Sequence, residues 1–289
     1  MPKKFRFLLI IVIIAWGVGL DYLSERIFRL ETELRTTRDI LSQLFTIESK
    51  LKVIQNILSQ ERFSSEGRIR IFRSSQSKEA ISDTTIANIP KETDFNWGGN
   101  QVLEVGRHAS GPLSCTLIKF NEIKELISKD PKAQILAATV YLKQEGNPAE
   151  ETPALKQVLN LYKIKKKWGE GNKIGTSAGP GESSWIAAAQ SQVSWEVPGC
   201  SGKEDFDKMI VATTGATVNS TADGWIGLVF TPEGISRLQK LLRDPAAVDN
   251  GFLLQFQDGE TAKNNFMSFY SSEFVTVSDR PYIEIIYAD

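Results

Sequence analysis

Between Ile81 and Tyr287 the chain is a succession of short runs in which apolar and polar residues alternate, each closed by Gly, Pro, Asn or Asp. This pattern constrains the fold more than any other feature. Period-two alternation buries one face of a strand, and the punctuation stops the chain before a helix can grow. Strands are expected over residues 81–89, 102–105, 113–120, 133–144, 159–168, 225–230, 251–257, 265–270 and 282–287. The last is the clearest: Arg280-Pro281 leads into Tyr282, Glu284 and Ile286, which alternate with Ile283 and Ile285. Such a closing strand is expected to pair inside a sheet, because a free edge invites aggregation. One helix interrupts the series. Thr231-Pro232-Glu233 supplies an N-cap, an N1 proline and an early acid, Asp244-Pro245 ends it, and Ile235, Leu238, Leu241 and Leu242 form its apolar face. Residues 169–202, rich in Gly, Ser and Ala, read as one long loop.

The N-terminal part follows different rules. Lys3, Lys4 and Arg6 precede an uncharged apolar run from Phe7 to Leu20, a basic flank that keeps the N-terminus cytoplasmic and places the rest outside. The run is shorter than the ~20 residues of a comfortable span. Ala15 and Gly17 would suit a cleavage site, so a removable signal competes with a retained anchor. The anchor is favoured, because the helical pattern continues without a break. A cleaved signal would make the protein secreted.

From Leu20 a heptad stripe runs through Leu23, Ile27, Leu30, Leu34, Leu41 and Leu44, with Thr37 as a weak point and a phase slip near Ile40. Arg26 precedes Glu31, and Glu33 precedes Arg38, by five residues, the spacing of opposite-charge pairs between parallel, in-register helices. The expected assembly is a parallel coiled-coil homo-oligomer, dimer or trimer. The expected organisation is an anchor or signal at 1–20, a stalk at 21–63, a linker at 64–77 and a head at 78–289. The linker contains Arg68-Ile69-Arg70-Ile71-Phe72-Arg73, whose alternation suggests a short strand or a clamp onto the head. The fold class is mainly β: a jelly-roll-like antiparallel β-sandwich with one short helix, preceded by a long N-terminal helix.

Composition narrows the chemistry. A net charge of −1 gives no field for nucleic acid. A single histidine, His108, and two cysteines leave little room for histidine-based metal sites, triads or cysteine-rich zinc sites. Cys115 and Cys200 could bond outside the cytoplasm. No cofactor is expected beyond a structural Ca2+, for which Asp83, Asp94 and Asn96 offer oxygen ligands near a glycine turn. Glu170 and Glu182 flank the Gly-rich loop and would be the carboxylate pair of a glycosidase, though Glu170 reads better as part of a turn.

The most suggestive polar pattern is Lys163, Lys165 and Lys167, whose period-two spacing sets three ammonium groups on one sheet face. Tyr141 and Lys143 repeat the spacing on what would be a neighbouring strand, and Trp97 sits on a turn as an exposed aromatic. A lysine row suits an acidic glycan and an aromatic face suits a sugar ring; a solvated strand face is the plainer alternative.

In chain order, Asp83-Thr84-Thr85-Ile86, Asn96-Trp97-Gly98, Leu103-Glu104-Val105-Gly106, residues 135–142, Gly169-Glu170-Gly171, Ser184-Trp185, Trp195, Pro198-Gly199, residues 250–254, Ser271-Ser272-Glu273 and Arg280-Pro281 resemble the DNRLRE domain, a disaggregatase-related β-sandwich. Residues 121–132 depart from it as an insertion. The resemblance implies a secreted or cell-surface module, in several members a carbohydrate-binding one, with Trp168, Trp185 and Trp195 as scaffold. The expected function is non-catalytic binding of a polysaccharide. The alternatives are a structural envelope or matrix protein whose heads bind each other or a protein partner, and a polysaccharide-degrading enzyme.

Overall fold

The computed structural model describes residues 68–73, 80–109, 111–146, 157–215, 223–257 and 265–288, together with Arg26. The chain divides into two compact units, residues 1–48 and residues 49–289. All described residues except Arg26 lie in the second. The expected anchor and heptad stripe, from Leu20 to Leu44, therefore fall outside the described residues. Among the described residues no helix is long and apolar enough to cross a membrane.

The strands are β1 (Arg68–Arg73), β2 (Ile81–Ala87), β3 (Phe95–Asn96), β4 (Val102–Arg107), β5 (Leu113–Phe120), β6 (Gln134–Lys143), β7 (Leu159–Ile164), β8 (Thr176–Ser177), β9 (Ala187–Ala189), β10 (Val193–Ser194), β11 (Phe206–Thr213), β12 (Trp225–Phe230), β13 (Phe252–Phe256), β14 (Asn265–Tyr270) and β15 (Tyr282–Ala288). The helices are α1 (Glu125–Lys129) and α2 (Pro232–Arg243). Eleven strands form one sheet in the order β1-β15-β6-β12-β11-β7-β13-β5-β4-β14, with β2 on β5. Its pairings are antiparallel. The sheet curls back on itself: Gln144, just past β6, bridges Phe269 on β14, and the Glu145 N–H donates to Ser268 O at 2.9 Å. The result is a sandwich-like, mainly β head.

Alternation explains the inner face. In β15, Ile283, Ile285 and Tyr287 are buried while Tyr282, Glu284 and Ile286 face outward, as the sequence predicts. In β6, Ile135 and Ala138 are both buried although three residues apart. A bulge opposite Ile286 and Tyr287 absorbs the extra residue and restores the phase for Val140 and Leu142. The pattern at residues 68–73 is realised as strand β1 on the outer side of β15, so that part of the expected linker belongs to the sheet.

Two buried clusters form. The larger holds Phe120, Phe256, Phe269 and the apolar face of α2; the smaller holds Ile86, Cys115, Leu117, Tyr162, Trp195, Cys200 and Leu253. Thr231 caps α2 as expected, its Oγ accepting the Gly234 N–H at 3.0 Å. Gly234 abuts the Val211 carbonyl, where a Cβ would stand 2.0 Å away. Gln239 clamps the helix to β6 by accepting the Ile135 N–H at 2.7 Å. Thr231→Ala is expected to cost about 1 kcal/mol, read as a lower urea midpoint at unchanged slope.

Candidate functional site

Two of the three predicted lysines share a cleft, and the third does not. β7 ends at Ile164, so the period-two row is broken before its second member. Lys163 and Lys165 line an open cleft of about 680 Å³ between this segment and α2, together with Asp207, Glu233, Arg237 and Lys240. Lys167 lies beyond the strand, exposed and outside the cleft. The segment after the strand is set by Asn250, whose Nδ2 donates to Lys165 O at 2.6 Å and whose carbonyl accepts Trp168 Nε1 at 2.7 Å. Lys166 turns the other way, its Nζ 2.8 Å from Asp205 Oδ1.

The charges in the cleft are unequally committed. Arg237 pairs with Asp207 and, at 3.6 Å, with Glu233. The Met209 N–H and the Arg237 guanidinium hold the Asp207 carboxyl below its ordinary value against its burial. Lys165 Nζ donates to the Lys203 carbonyl at 2.7 Å. Burial pushes the Lys163 ammonium below its ordinary value; Asp249 opposes this, and the positive charges of Arg237 and Lys124 add to it. Lys163 is thus a half-desolvated cation whose strongest charged neighbour is Asp249, in a cleft lined by Lys165, Arg237 and Lys240 and also by Asp207, Glu233 and Asp244.

Tyr141 and Lys143 are not beside this row, because β12 and β11 lie between β6 and β7. They belong to a second surface on the outer face of β1, β15, β6 and β12. Tyr141 stacks on Tyr282 with centroids 4.7 Å apart, and Arg73 lies 4.3 Å from the Tyr282 centroid on the next strand. Trp225 meets Tyr282 edge-on at 5.1 Å, and Lys143 pairs with Asp279 at 2.9 Å. The tyrosine ring faces are engaged by one another, which makes this a cross-strand ladder more than an open sugar platform. Trp97 is half-buried, its ring against Gly175, where a Cβ would stand 2.7 Å from the indole and φ is +69°.

The three proposed cation ligands separate. Asn96 is fully buried and acts as a clamp: its Nδ2 donates to Glu170 O (2.6 Å) and Ser183 O (2.9 Å), while its Oδ1 accepts from Gly98 N (3.2 Å) and Lys173 N (3.0 Å). Asp94 accepts the Ala178 N–H through its backbone carbonyl at 2.8 Å and stands outside any carboxylate group found among the described residues. Asp83 instead meets Glu170 and Glu273, with one carboxylate oxygen of each lying within 4.8 Å of the others. The Asp83 N–H donates to Glu170 Oε1 (2.7 Å), Ser272 N to Asp83 Oδ2 (2.9 Å), and Ser272 Oγ to Glu273 Oε2 (2.9 Å). Burial, then the charges of Glu273 and Glu170, push the Asp83 carboxyl well above its ordinary value, against hydrogen bonds from Ser272. Sequence reading placed Glu170 in a turn and Glu273 only in a family-like stretch; the fold joins them across β2 and two loops.

Other constellations have structural roles. His108 Nε2 lies 3.3 Å from Glu104 Oε2 and 3.4 Å from Ser114 Oγ. Both contacts fall on one nitrogen, whereas a proton relay needs the carboxylate on one ring nitrogen and the hydroxyl on the other. Glu182 caps its own loop by accepting the Gly179 N–H at 2.7 Å. Trp195 is buried, donating Nε1 to Ser184 O at 3.0 Å. Cys115 and Cys200 are both buried, and both lie in the smaller cluster. Burial pushes the Cys200 thiol well up, and Asp205 and Cys115 add to that. No family model matches the chain, and no curated protein matches it in sequence.

Proposed function

We propose that this is a non-catalytic, extracytoplasmic cell-surface protein whose head binds an acidic polysaccharide in the cleft between α2 and β7. The head is read as a jelly-roll-like module of the DNRLRE type, carried on a parallel coiled coil and an N-terminal anchor. The observation that carries the reading is Lys163, half-buried beside Arg237 and Lys124, with Lys165 next to it on one open cleft. An extended polyanion offers carboxylates to such a site, and two or three heads on one stalk would gain avidity from a repeating ligand.

The test is binding of the full chain in detergent to polygalacturonate, alginate and neutral dextran at low and moderate salt. Saturable, salt-sensitive binding to an acidic glycan is expected. Lys163→Ala with Lys165→Ala should weaken it roughly tenfold, at under 1 kcal/mol per charge, while Lys167→Ala leaves it nearly unchanged. Folded protein that binds none of these glycans would sink the reading. A second reading has its own support: Ile69 and Ile71 are 62% and 53% exposed on the outer strand β1, an apolar edge suited to head-to-head association. Loss of concentration-dependent association on Ile69→Lys would favour it.

A further inference from the structure

We propose that Asp83, Glu170 and Glu273 hold a hard divalent cation, Ca2+, that ties β2 to the loops following β7 and β14. Asp83 Oδ1 is buried and has no hydrogen-bond partner among the described residues, while Oδ2 accepts the Ser272 N–H. The whole residue is 1% exposed. A buried carboxylate oxygen left unpartnered is costly unless a cation meets it. The charges acting most strongly on Asp83 are two carboxylates, so the cluster carries negative charge in excess.

The dimensions and chemistry suit calcium. Two oxygens on opposite sides of Ca2+, each at ~2.4 Å, stand ~4.8 Å apart, and the three carboxylate oxygens fall within 4.8 Å of one another. An all-oxygen donor set selects a hard ion over zinc or copper. Each carboxylate is also oriented by a hydrogen bond from its surroundings: Glu170 by the Asp83 N–H, Asp83 by the Ser272 N–H and Glu273 by the Ser272 hydroxyl. Ligands aimed in this way lose little freedom when an ion arrives. The site is independent of the glycan cleft and does not rest on that reading.

Stability gives the test. Without the cation, a buried carboxylate oxygen with no partner beside two further carboxylates weakens the fold; with it, the charge is matched. Thermal unfolding of the full chain is compared in EDTA and in millimolar Ca2+, with calorimetric titration of the EDTA-stripped, dialysed protein. Calcium at about a hundredfold over its dissociation constant should raise the melting temperature by roughly 5–10 °C, with one ion bound per chain. Glu273→Gln and Asp83→Asn should abolish the shift, and Asp83→Asn in EDTA at neutral pH should melt at or above the wild type. Folded wild-type protein with equal melting temperatures in EDTA and Ca2+ and no heat of binding would overturn the proposal. So would a full calcium shift in Glu273→Gln.

Discussion

Asp205→Ala is expected to lower stability by about 3–5 kcal/mol, because it strips a buried, fully used carboxylate from its partners. The Asp205 side chain is 0% exposed. It accepts the N–H groups of Glu196 (2.7 Å), Val197 (3.1 Å) and Gly202 (2.9 Å), and Lys166 Nζ lies 2.8 Å away. Burial alone would raise this carboxyl; the Glu196 N–H, the Lys166 ammonium and the other two N–H groups outweigh it and hold it below its ordinary value. The sign of the pH dependence follows. A depressed carboxyl contributes its stability above the unfolded value, near pH 4, and loses it as pH falls through the folded one. The urea midpoints of wild type and variant should therefore lie far apart at pH 7 and converge as the solution is acidified toward pH 3. A gap that stays constant with pH would show that lost packing, and not the carboxylate, is responsible.

The second large effect is expected from the smallest change. Asn96→Asp keeps the shape and replaces one amide nitrogen by oxygen, yet it should cost about 3 kcal/mol or more at neutral pH. Asn96 Nδ2 faces two carbonyl oxygens, those of Glu170 and Ser183. A carboxylate there sets like partial charges against each other in a fully buried place. A cation ligand would behave in the opposite way, since aspartate binds Ca2+ at least as well as asparagine. Part of the loss should return at low pH, where the new carboxyl is protonated and can donate one of the two bonds. Urea denaturation at pH 7 and pH 4 reads both effects. An Asn96→Asp protein as stable as the wild type would restore the metal-ligand reading of this position.

These two residues show where local pattern stops informing. The strands that pack on both sides of β6 were legible because Ile283 and Ile285, or Ile226 and Leu228, alternate with outward residues. Helix α2 was legible from its cap. β11 was not, because Asp207 and Lys208 interrupt its apolar run and a long loop precedes it. β3 with β8, and β9 with β10, are two- or three-residue pairings; long-range contact makes them, and no period fits so few residues. β7 ended early for a similar reason: Asn250 draws the chain off the ladder after Ile164, which split the lysine row. The carboxylate cluster was legible only at Asp83. Glu170 lies 87 residues from it and Glu273 further still, so no spacing rule could join them. Only the topology does, by running β2 beside the two loops.

Cys115 and Cys200 carry a practical consequence. Both thiols sit in the smaller core, on β5 and in the loop before β11, and the chain has no other cysteine. With its thiol pushed up, Cys200 presents almost no thiolate while the core is shut. A thiol-modifying dye can therefore react only through excursions that expose this half of the head. Its rate becomes an opening free energy for that region, separable from global unfolding. The native sequence thus carries its own chemical stopwatch for breathing of the smaller core, with no engineered label required.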